Sequence, residues 1–283
     1  MKPVIKYRGG KSKELAHFMK YIPKNIETYI EPFIGGGALY FSLEPERAII
    51  NDVNHKLITF YSDLKSNYET LKAELESLQV IYEKNQQEYE ILKAESPYHK
   101  VENKNEQLYY RLRHLFNYPN GQYLVSTLYF FINKTAYSGM IRYNKSGEYN
   151  VPFGRYRNFN TKLVTEDHHQ LLARTNVYCD DYSNIFHMAT EKDFMFLDPP
   201  YDCIFNDYGN LELEDGFNED EHRRLAQDYR NLNCPAIMVV SKTPLTESLY
   251  SDLIAEEYHK SYAVNIRNRF KNVANHIIIK NFQ

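Results

Sequence analysis

Tyr29-Ile30-Glu31-Pro32-Phe33-Ile34-Gly35-Gly36-Gly37-Ala38-Leu39-Tyr40-Phe41-Ser42-Leu43, followed by Arg47-Ala48-Ile49-Ile50-Asn51-Asp52, is the stretch on which the fold turns. Tyr29–Ile34 reads as a short buried strand that runs into glycines, Ala38–Leu43 as a helix, and Arg47–Asp52 as a second strand. That order of strand, turn, helix and strand opens a doubly wound sheet. Glycines at the strand end let a ligand approach the backbone, and the helix beyond presents its N-terminus. Asp52 ends the second strand, where a carboxylate can accept both hydroxyls of a ribose. The turn lacks the last glycine of G-x-G-x-x-G, because Tyr40 stands there. A nicotinamide enzyme, a nucleotide binder and a structural turn all remain open on this stretch alone.

Outward from it the pattern changes twice. Between residues 55 and 118, Leu57, Phe60, Tyr61, Leu64, Leu71, Leu75 and Leu78 recur at helical spacing, which predicts two or three amphipathic helices broken near Ser96-Pro97. A further helix begins within 119–131. A tyrosine-rich segment then carries Asn144-Lys145-Ser146-Gly147, good turn chemistry for a β-hairpin over about 134–156. Strand patterns return at Asn176–Cys179, Asp193–Leu197, Ala236–Val240 and His276–Ile279, and Asn218 to Glu221 spells a capping box. The expected organisation is a core of residues 1–55 and 176–283, interrupted by an inserted helical and hairpin subdomain over 56–175.

Composition narrows the class. With 43% hydrophobic and 25% charged residues among 283, the chain is neither disordered nor fibrous. Its longest mostly apolar stretch, Tyr123–Ile132, is half the roughly 20 residues of a membrane helix. Met1 to Lys6 carries no apolar signal region, so a cytoplasmic protein with no membrane partner is expected. The cysteines (Cys179, Cys203, Cys234) form no CxxC pair, which argues against a cysteine zinc site or a disulfide framework. Net charge is 34 − 37 = −3, yet Lys134, Arg142, Lys145, Arg155, Arg157 and Lys162 face Glu148 alone within 134–162, a local charge of 6 − 1 = +5. A basic, tyrosine-rich island of this kind is a candidate surface for phosphates and bases, joined by Arg267, Arg269 and Lys271.

The sharpest motif is Asp198-Pro199-Pro200-Tyr201, directly after the apolar run Phe194–Leu197. Two prolines cannot continue a paired strand, so the chain must turn at the sheet's carboxyl edge, where doubly wound folds hold ligands. A carboxylate, the Pro199 carbonyl and an aromatic face are then gathered there. They can hold a planar base that bears an exocyclic amine.

Taken with Lys6-Tyr7-Arg8-Gly9-Gly10-Lys11, Glu31 to Gly37, Asp52-Val53-Asn54 and the run Arg142 to Tyr156, this motif completes a pattern that resembles Dam-like DNA N6-adenine methyltransferases of the D12 class. The resemblance spans nearly the whole chain. It implies an α/β, Rossmann-like, S-adenosylmethionine-dependent core with an inserted DNA-recognition subdomain. It also implies that Tyr7 and Lys11 contact the cofactor, with Lys11 reaching its methionine carboxylate. Phe33 and Gly35 would line the cofactor, Asp52 would hold its ribose, and Asp180 or Asp181 would meet its adenine. Asp198 would stand at the junction of cofactor and target base, with Pro199 and Tyr201 completing the catalytic set. On the DNA side the resemblance points to Tyr137, Ser138, Met140, Arg142, Asn144, Pro152, Arg155 and Tyr156. Arg142 would read a guanine and Met140 would pack on bases. Tyr7 stands where relatives more often carry Trp, and Ser138 where close relatives carry Asn. Double-stranded DNA is the expected partner, a cognate restriction endonuclease a functional rather than physical one, and a bacterial or phage source is implied. No metal is needed.

Chemistry agrees with that reading. The N6 lone pair of adenine is delocalised into the ring. Asp198 and the Pro199 carbonyl can accept the two N–H groups and free that lone pair for attack on a sulfonium methyl, Tyr201 stacking on the base. A base inside a duplex must first be flipped out. Cytosine-C5 methylation wants a Pro-Cys nucleophile, whereas Cys234 precedes Pro235 and Cys203 has no proline before it. Methylases of RNA bases and of protein glutamine lack the Arg142–Tyr156 block. A nicotinamide oxidoreductase wants the third glycine and a His/Arg pair, and a non-catalytic DNA module would not need the intact motif. Arg142 and the resemblance across Arg142–Tyr156 to GATC-methylating relatives imply recognition that begins with guanine, with GATC as the site.

Overall fold

A computed structural model describes residues 1–7, 9–202, 217–261 and 273–283. In chain order the elements are α1 (Leu15–Met19), β1 (Tyr29–Glu31), α2 (Ala38–Leu43), β2 (Ala48–Asn51), α3 (His55–Ser66), α4 (Tyr68–Glu95), α5 (Lys104–Asn117) and α6 (Val125–Thr135). A single 3-10 turn (Tyr137–Gly139) is followed by α7 (Glu166–Ala173), β3 (Thr175–Tyr178), α8 (Tyr182–Phe186) and β4 (Phe194–Leu197). Last come α9 (Glu219–Arg230), β5 (Ala236–Ser241), α10 (Pro244–Tyr250), β6 (Ile254–Ser261) and β7 (Val273–Lys280). They pack as two compact units: Met1–Leu15 with Gly35–Glu44 and Asn54–Val177, and Ala16–Ile34 with Pro45–Val53 and Tyr178–Gln283. No helix among the described residues is long and apolar enough to cross a membrane.

The strands form one sheet in the order β3-β2-β1-β4-β5-β7-β6. β1 runs parallel to both β2 and β4, and β4 parallel to β5, while β7 is antiparallel to β5 and β6. The chain builds outward from β1 through β2 to β3, then returns to lay β4 on the other side of β1. The switch point of this mixed α/β, Rossmann-like sheet therefore lies between β1 and β4, where such folds place ligands. All four residues of β4 are buried, as a strand with neighbours on both sides requires. Ile30, Met195, Leu197, Met238, Val240, Tyr229 and Ile277 share one core cluster, and each large side chain buried there stabilises by about 1.5–3 kcal/mol.

Two local expectations need correction in this unit. Asn218 does cap α9, accepting the Glu221 N–H, but Glu221 turns its carboxylate to Arg224 at 2.9 Å, so only half of the capping box forms. The complete box belongs to α10, between Thr243 and Thr246. β6 was not expected at all; its Glu256-Glu257 and His259-Lys260 hide the alternation of a strand.

The helical unit is organised by α6, whose residues Ser126 to Thr135 are all buried. The apolar run Leu128–Ile132 suits that burial, while the polar residues on either side of it must find partners inside. Phe130 stacks on Phe60 of α3 at 6.0 Å, Phe131 meets Tyr82 of α4 edge-on, and Tyr129 leans on Phe116 of α5. Leu124 cannot cap the helix with its side chain. Glu74 of α4 does so instead, accepting the Leu124 N–H at 3.0 Å and the Thr127 hydroxyl at 2.5 Å. The expected hairpin beyond α6 is looser than a ladder: Ala136 bridges Phe153 and Tyr143 bridges Tyr149 in isolation. Helix α5 accounts for this. Asn117 takes both the N–H and the carbonyl of Tyr149, and Tyr109 and Arg113 both donate to the Val151 carbonyl. Main-chain groups that a ladder would use are already engaged.

Candidate active site

Because β1, β2 and β4 are parallel, their carboxyl ends share one edge of the sheet. Asp52 is the first residue beyond β2 and Asp198 the first beyond β4, with Phe33 just past β1. Asp52 is only 7% exposed. Asn51 holds three of the strand ends together. Its amide donates to the Pro32 carbonyl at 3.0 Å and the Asp180 carbonyl at 2.9 Å, and its Oδ1 accepts the Asp180 N–H at 2.9 Å. Sequence reasoning passed over Asn51; the polar residue closing an otherwise apolar strand was the available signal.

Phe33 begins an aromatic wall, with Tyr182 at 5.3 Å and Phe217 edge-on at 6.2 Å. Asp181 caps α8, its Oδ1 accepting the Ser183 N–H at 2.9 Å and the hydroxyl at 2.5 Å. Its Oδ2 accepts from Arg224 at 2.8 Å, while the same guanidinium lies over the Tyr182 ring at 4.6 Å. Burial works against the charge on Asp181, but the bonds from Ser183 and Arg224 prevail and hold its carboxyl below the usual range. Arg224 is another residue that the sequence did not single out. Asp180 is exposed and receives the Asp181 N–H and the Asn184 amide on one oxygen.

Beyond β4 the backbone of Asp198–Asp202 is irregular, with Asp198 half-buried and Pro199 buried. Tyr201 is 7% exposed and its ring packs edge-on against His276 at 5.1 Å. Asp202 anchors the segment by accepting the Thr243 hydroxyl at 2.7 Å. Cys234 is buried, and burial pushes its thiol up to about 11, which makes it a poor nucleophile; Cys203 lies outside the described residues.

In the helical unit, Tyr7 rests on the glycine turn. A Cβ at Gly35 would stand 2.8 Å from the Tyr7 ring, and one at Gly36 would stand 2.9 Å from the Tyr7 Cβ. Gly35 also has φ 45°, a conformation that favours glycine. Lys11 is buried and donates to the Gly9 carbonyl at 2.8 Å. In the helical unit, turn backbone without side chains and a buried lysine, and in the sheet unit, a buried acid at a strand end and an aromatic wall, are each of a kind that S-adenosylmethionine needs. The residues fit that group.

The segment after α6 presents the expected DNA contacts. Tyr137 is 44% exposed and Met140 37%, on either side of Ser138 and Gly139, whose φ values are 56° and 61°. Arg142 is exposed and donates to the Asn150 side chain at 2.7 Å and its carbonyl at 3.3 Å. Asn144 spends its amide inside the turn, accepting from Ser146 and Glu148 and donating to the Glu148 carboxylate. Pro152 and Arg155 are exposed, and Tyr156 carries the Lys6 ammonium over its ring at 4.1 Å. Lys56 sits over both Phe116 and Tyr143, at 4.4 and 4.7 Å, and ties the loop to its own helix α3.

Lys134 does not belong to the basic surface. It is buried, its ammonium donates to the Val4 carbonyl, and burial together with the Lys6 charge lowers its amine to about 8. Arg157 pairs with Glu90 at 2.9 Å. The exposed island thus narrows to Arg142, Lys145, Arg155, Arg157 and Lys162 against Glu148. Arg8, Arg267, Arg269 and Lys271 lie outside the described residues.

Comparison with known proteins bears on the whole chain. The family of D12 class N6 adenine-specific DNA methyltransferases matches residues 7–266. The type II methyltransferase M.CviBI of Paramecium bursaria Chlorella virus NC1A is 32% identical over 289 residues, covering 100% of each chain. The type II methyltransferase M.MjaIII of Methanocaldococcus jannaschii is 33% identical, over 82% of this chain and 81% of its own. The retron Ec67 DNA adenine methylase of Escherichia coli is 28% identical, over 88% and 81%. A match of this extent, on a sheet with this switch point, places the chain in the D12 class of N6 adenine-specific DNA methyltransferases, which implies S-adenosylmethionine as methyl donor and DNA as substrate.

Proposed function

We propose that this enzyme methylates N6 of an adenine flipped out of duplex DNA, at GATC sites, with Asp198 and Pro199 as the groups that activate the base. The observation that carries this reading is the exit of Asp198-Pro199-Pro200-Tyr201 from β4 beside the switch point. Bound S-adenosylmethionine supplies a sulfonium methyl. Asp198 and the Pro199 carbonyl accept the two N6 hydrogens as positive charge develops on nitrogen, the converse of an oxyanion hole. Transfer of that methyl to N6 would discharge the sulfonium to a neutral thioether, and Asp198 and the Pro199 carbonyl would pass the surplus N6 proton to water. Tyr201 offers its face to the flipped base, whose extrusion costs a few kcal/mol. Asp52 holds the ribose, Asp181 the cofactor's adenine edge, Phe33 and Gly35 its walls, and Tyr7 and Lys11 its methionine end.

DNA recognition falls to Tyr137, Ser138, Met140, Arg142, Asn144, Pro152, Arg155 and Tyr156, within the inserted subdomain 56–175 of a core made of 1–55 and 176–283. Arg142 can bond both O6 and N7 of the first guanine in the major groove. That the relatives M.CviBI and M.MjaIII are type II methyltransferases favours a cognate restriction endonuclease as functional partner. Mapping of methylated bases on a plasmid rich in GATC and near-cognate sites, with tritiated S-adenosylmethionine as donor, tests the whole statement. N6-methyladenine confined to GATC supports it, and modified adenines without a preceding guanine overturn the site.

A further inference from the structure

The last turn of α6 carries three polar side chains, Asn133, Lys134 and Thr135, all buried. Burying such groups costs free energy unless each finds partners, so their partners show what the turn holds. Asn133 accepts the Lys6 N–H on Oδ1 at 2.8 Å and donates Nδ2 to the Lys6 carbonyl at 2.7 Å. This two-point clasp on one residue imitates a strand pairing. Lys134 donates to the Val4 carbonyl, two residues earlier. The carbonyl of Thr135 accepts the Gly154 N–H at 2.8 Å, and Ala136 leads straight into the Tyr137–Gly139 turn.

One helix end thus grips the segment that delivers Tyr7 to the glycine turn and also the two arms that carry the expected DNA contacts. Lys6 joins the same knot. A Cβ at Gly139 would stand 3.1 Å from its Cδ, and its ammonium lies over Tyr156 and reaches the Lys134 carbonyl at 3.4 Å. We propose that Asn133 is a positioning residue that couples cofactor binding to DNA recognition, its amide fixing Lys6 so that Tyr7 and the Tyr137–Tyr156 segment share one register. The inference rests on the cofactor and DNA roles proposed above. Asn133 bonds the main chain of Lys6 and not a group given a catalytic role above, so losing it should disturb affinity and coupling rather than the methyl-transfer step.

The test uses the full chain, S-adenosylhomocysteine and a short GATC duplex. Titration of wild type with S-adenosylhomocysteine alone examines the cofactor reading by itself. Titrations of each ligand with and without the other then give a mutual enhancement, which linkage makes equal in both directions. Asn133→Asp keeps the shape and the acceptor for Lys6 N–H but sets an oxygen against the Lys6 carbonyl; Asn133→Ser removes both bonds. Both are expected to weaken S-adenosylhomocysteine binding about tenfold and bring the enhancement close to one, raising cofactor KM while kcat at saturating cofactor stays within about twofold. Wild type without mutual enhancement overturns the proposal. So do variants whose enhancement matches wild type, or whose kcat at saturating cofactor falls more than about twofold together with thermal stability.

Discussion

Asp52 and Asp198 each follow directly on a strand of the sheet, β2 and β4, whose residues are almost wholly buried and held by main-chain ladders on both sides. Tyr137, Met140 and Arg142 stand on a segment with two isolated bridges, with Ser138 and Arg155 in left-handed backbone and its loop tip closed by side-chain bonds. The difference follows from what each region is proposed to do. Methyl transfer to N6 is the same reaction at every site, so its groups gain from a rigid frame. Reading one base sequence calls for exposed side chains, which loops held on a rigid scaffold often carry. The second region therefore stores strain and exposes apolar surface that the first does not.

Asp198→Ala probes the rigid side hardest. Loss of the acceptor is expected to lower methyl incorporation on the order of 10²–10³-fold with duplex affinity little changed. Turnover above a tenth of wild type would remove Asp198 from the chemistry. Asp52→Ala comes next: losing charge-assisted bonds to a ribose should weaken S-adenosylhomocysteine binding by about 1.5–3 kcal/mol, while duplex affinity holds. Calorimetry on each ligand separately decides this, and equal losses would make Asp52 a structural group. Arg142→Ala addresses the other region. Preference for guanine at the first position should drop by about 1–3 kcal/mol in competition between GATC and substituted duplexes. Weakening that is uniform across sequences would assign the arginine to a phosphate. The smallest effect concerns strain. Asn adopts φ near 56° more readily than Ser, so Ser138→Asn should raise unfolding stability by a few tenths to about 1 kcal/mol. A fall in denaturant midpoint would show that the turn is relaxed with serine.

The sheet was legible because buried parallel strands read as unbroken apolar runs, and Phe194–Leu197 and Ala236–Val240 were visible for that reason. The Asp-Pro-Pro-Tyr exit was legible because proline forbids the ladder from continuing. Side chains that serve only other side chains or main chain left no such trace. Asn51, Arg224 and Asn133 are ordinary polar residues in sequence, and only the folded chain shows that each bonds partners far along it. Lys134 misled for a related reason: charge in a sequence is read as solvated, yet this ammonium is held by a carbonyl in the interior. Asn144 is the middle case, visible as turn chemistry, with its amide occupied within the turn.

Among the described residues β6 is the last strand on one side of the sheet, with no described strand on its outer flank. An open flank of that length invites another polypeptide to add itself, and sheets so exposed aggregate. Here the strand departs from regular pairing with β7 between Ile254 and Glu256 and carries Glu256, Glu257, His259 and Lys260. Glu256 is further occupied by His17, Lys20 and Tyr21, which brings the short N-terminal helix region onto that strand. The charges that hid β6 from sequence reading are of the kind that discourages a second strand from pairing at an open edge.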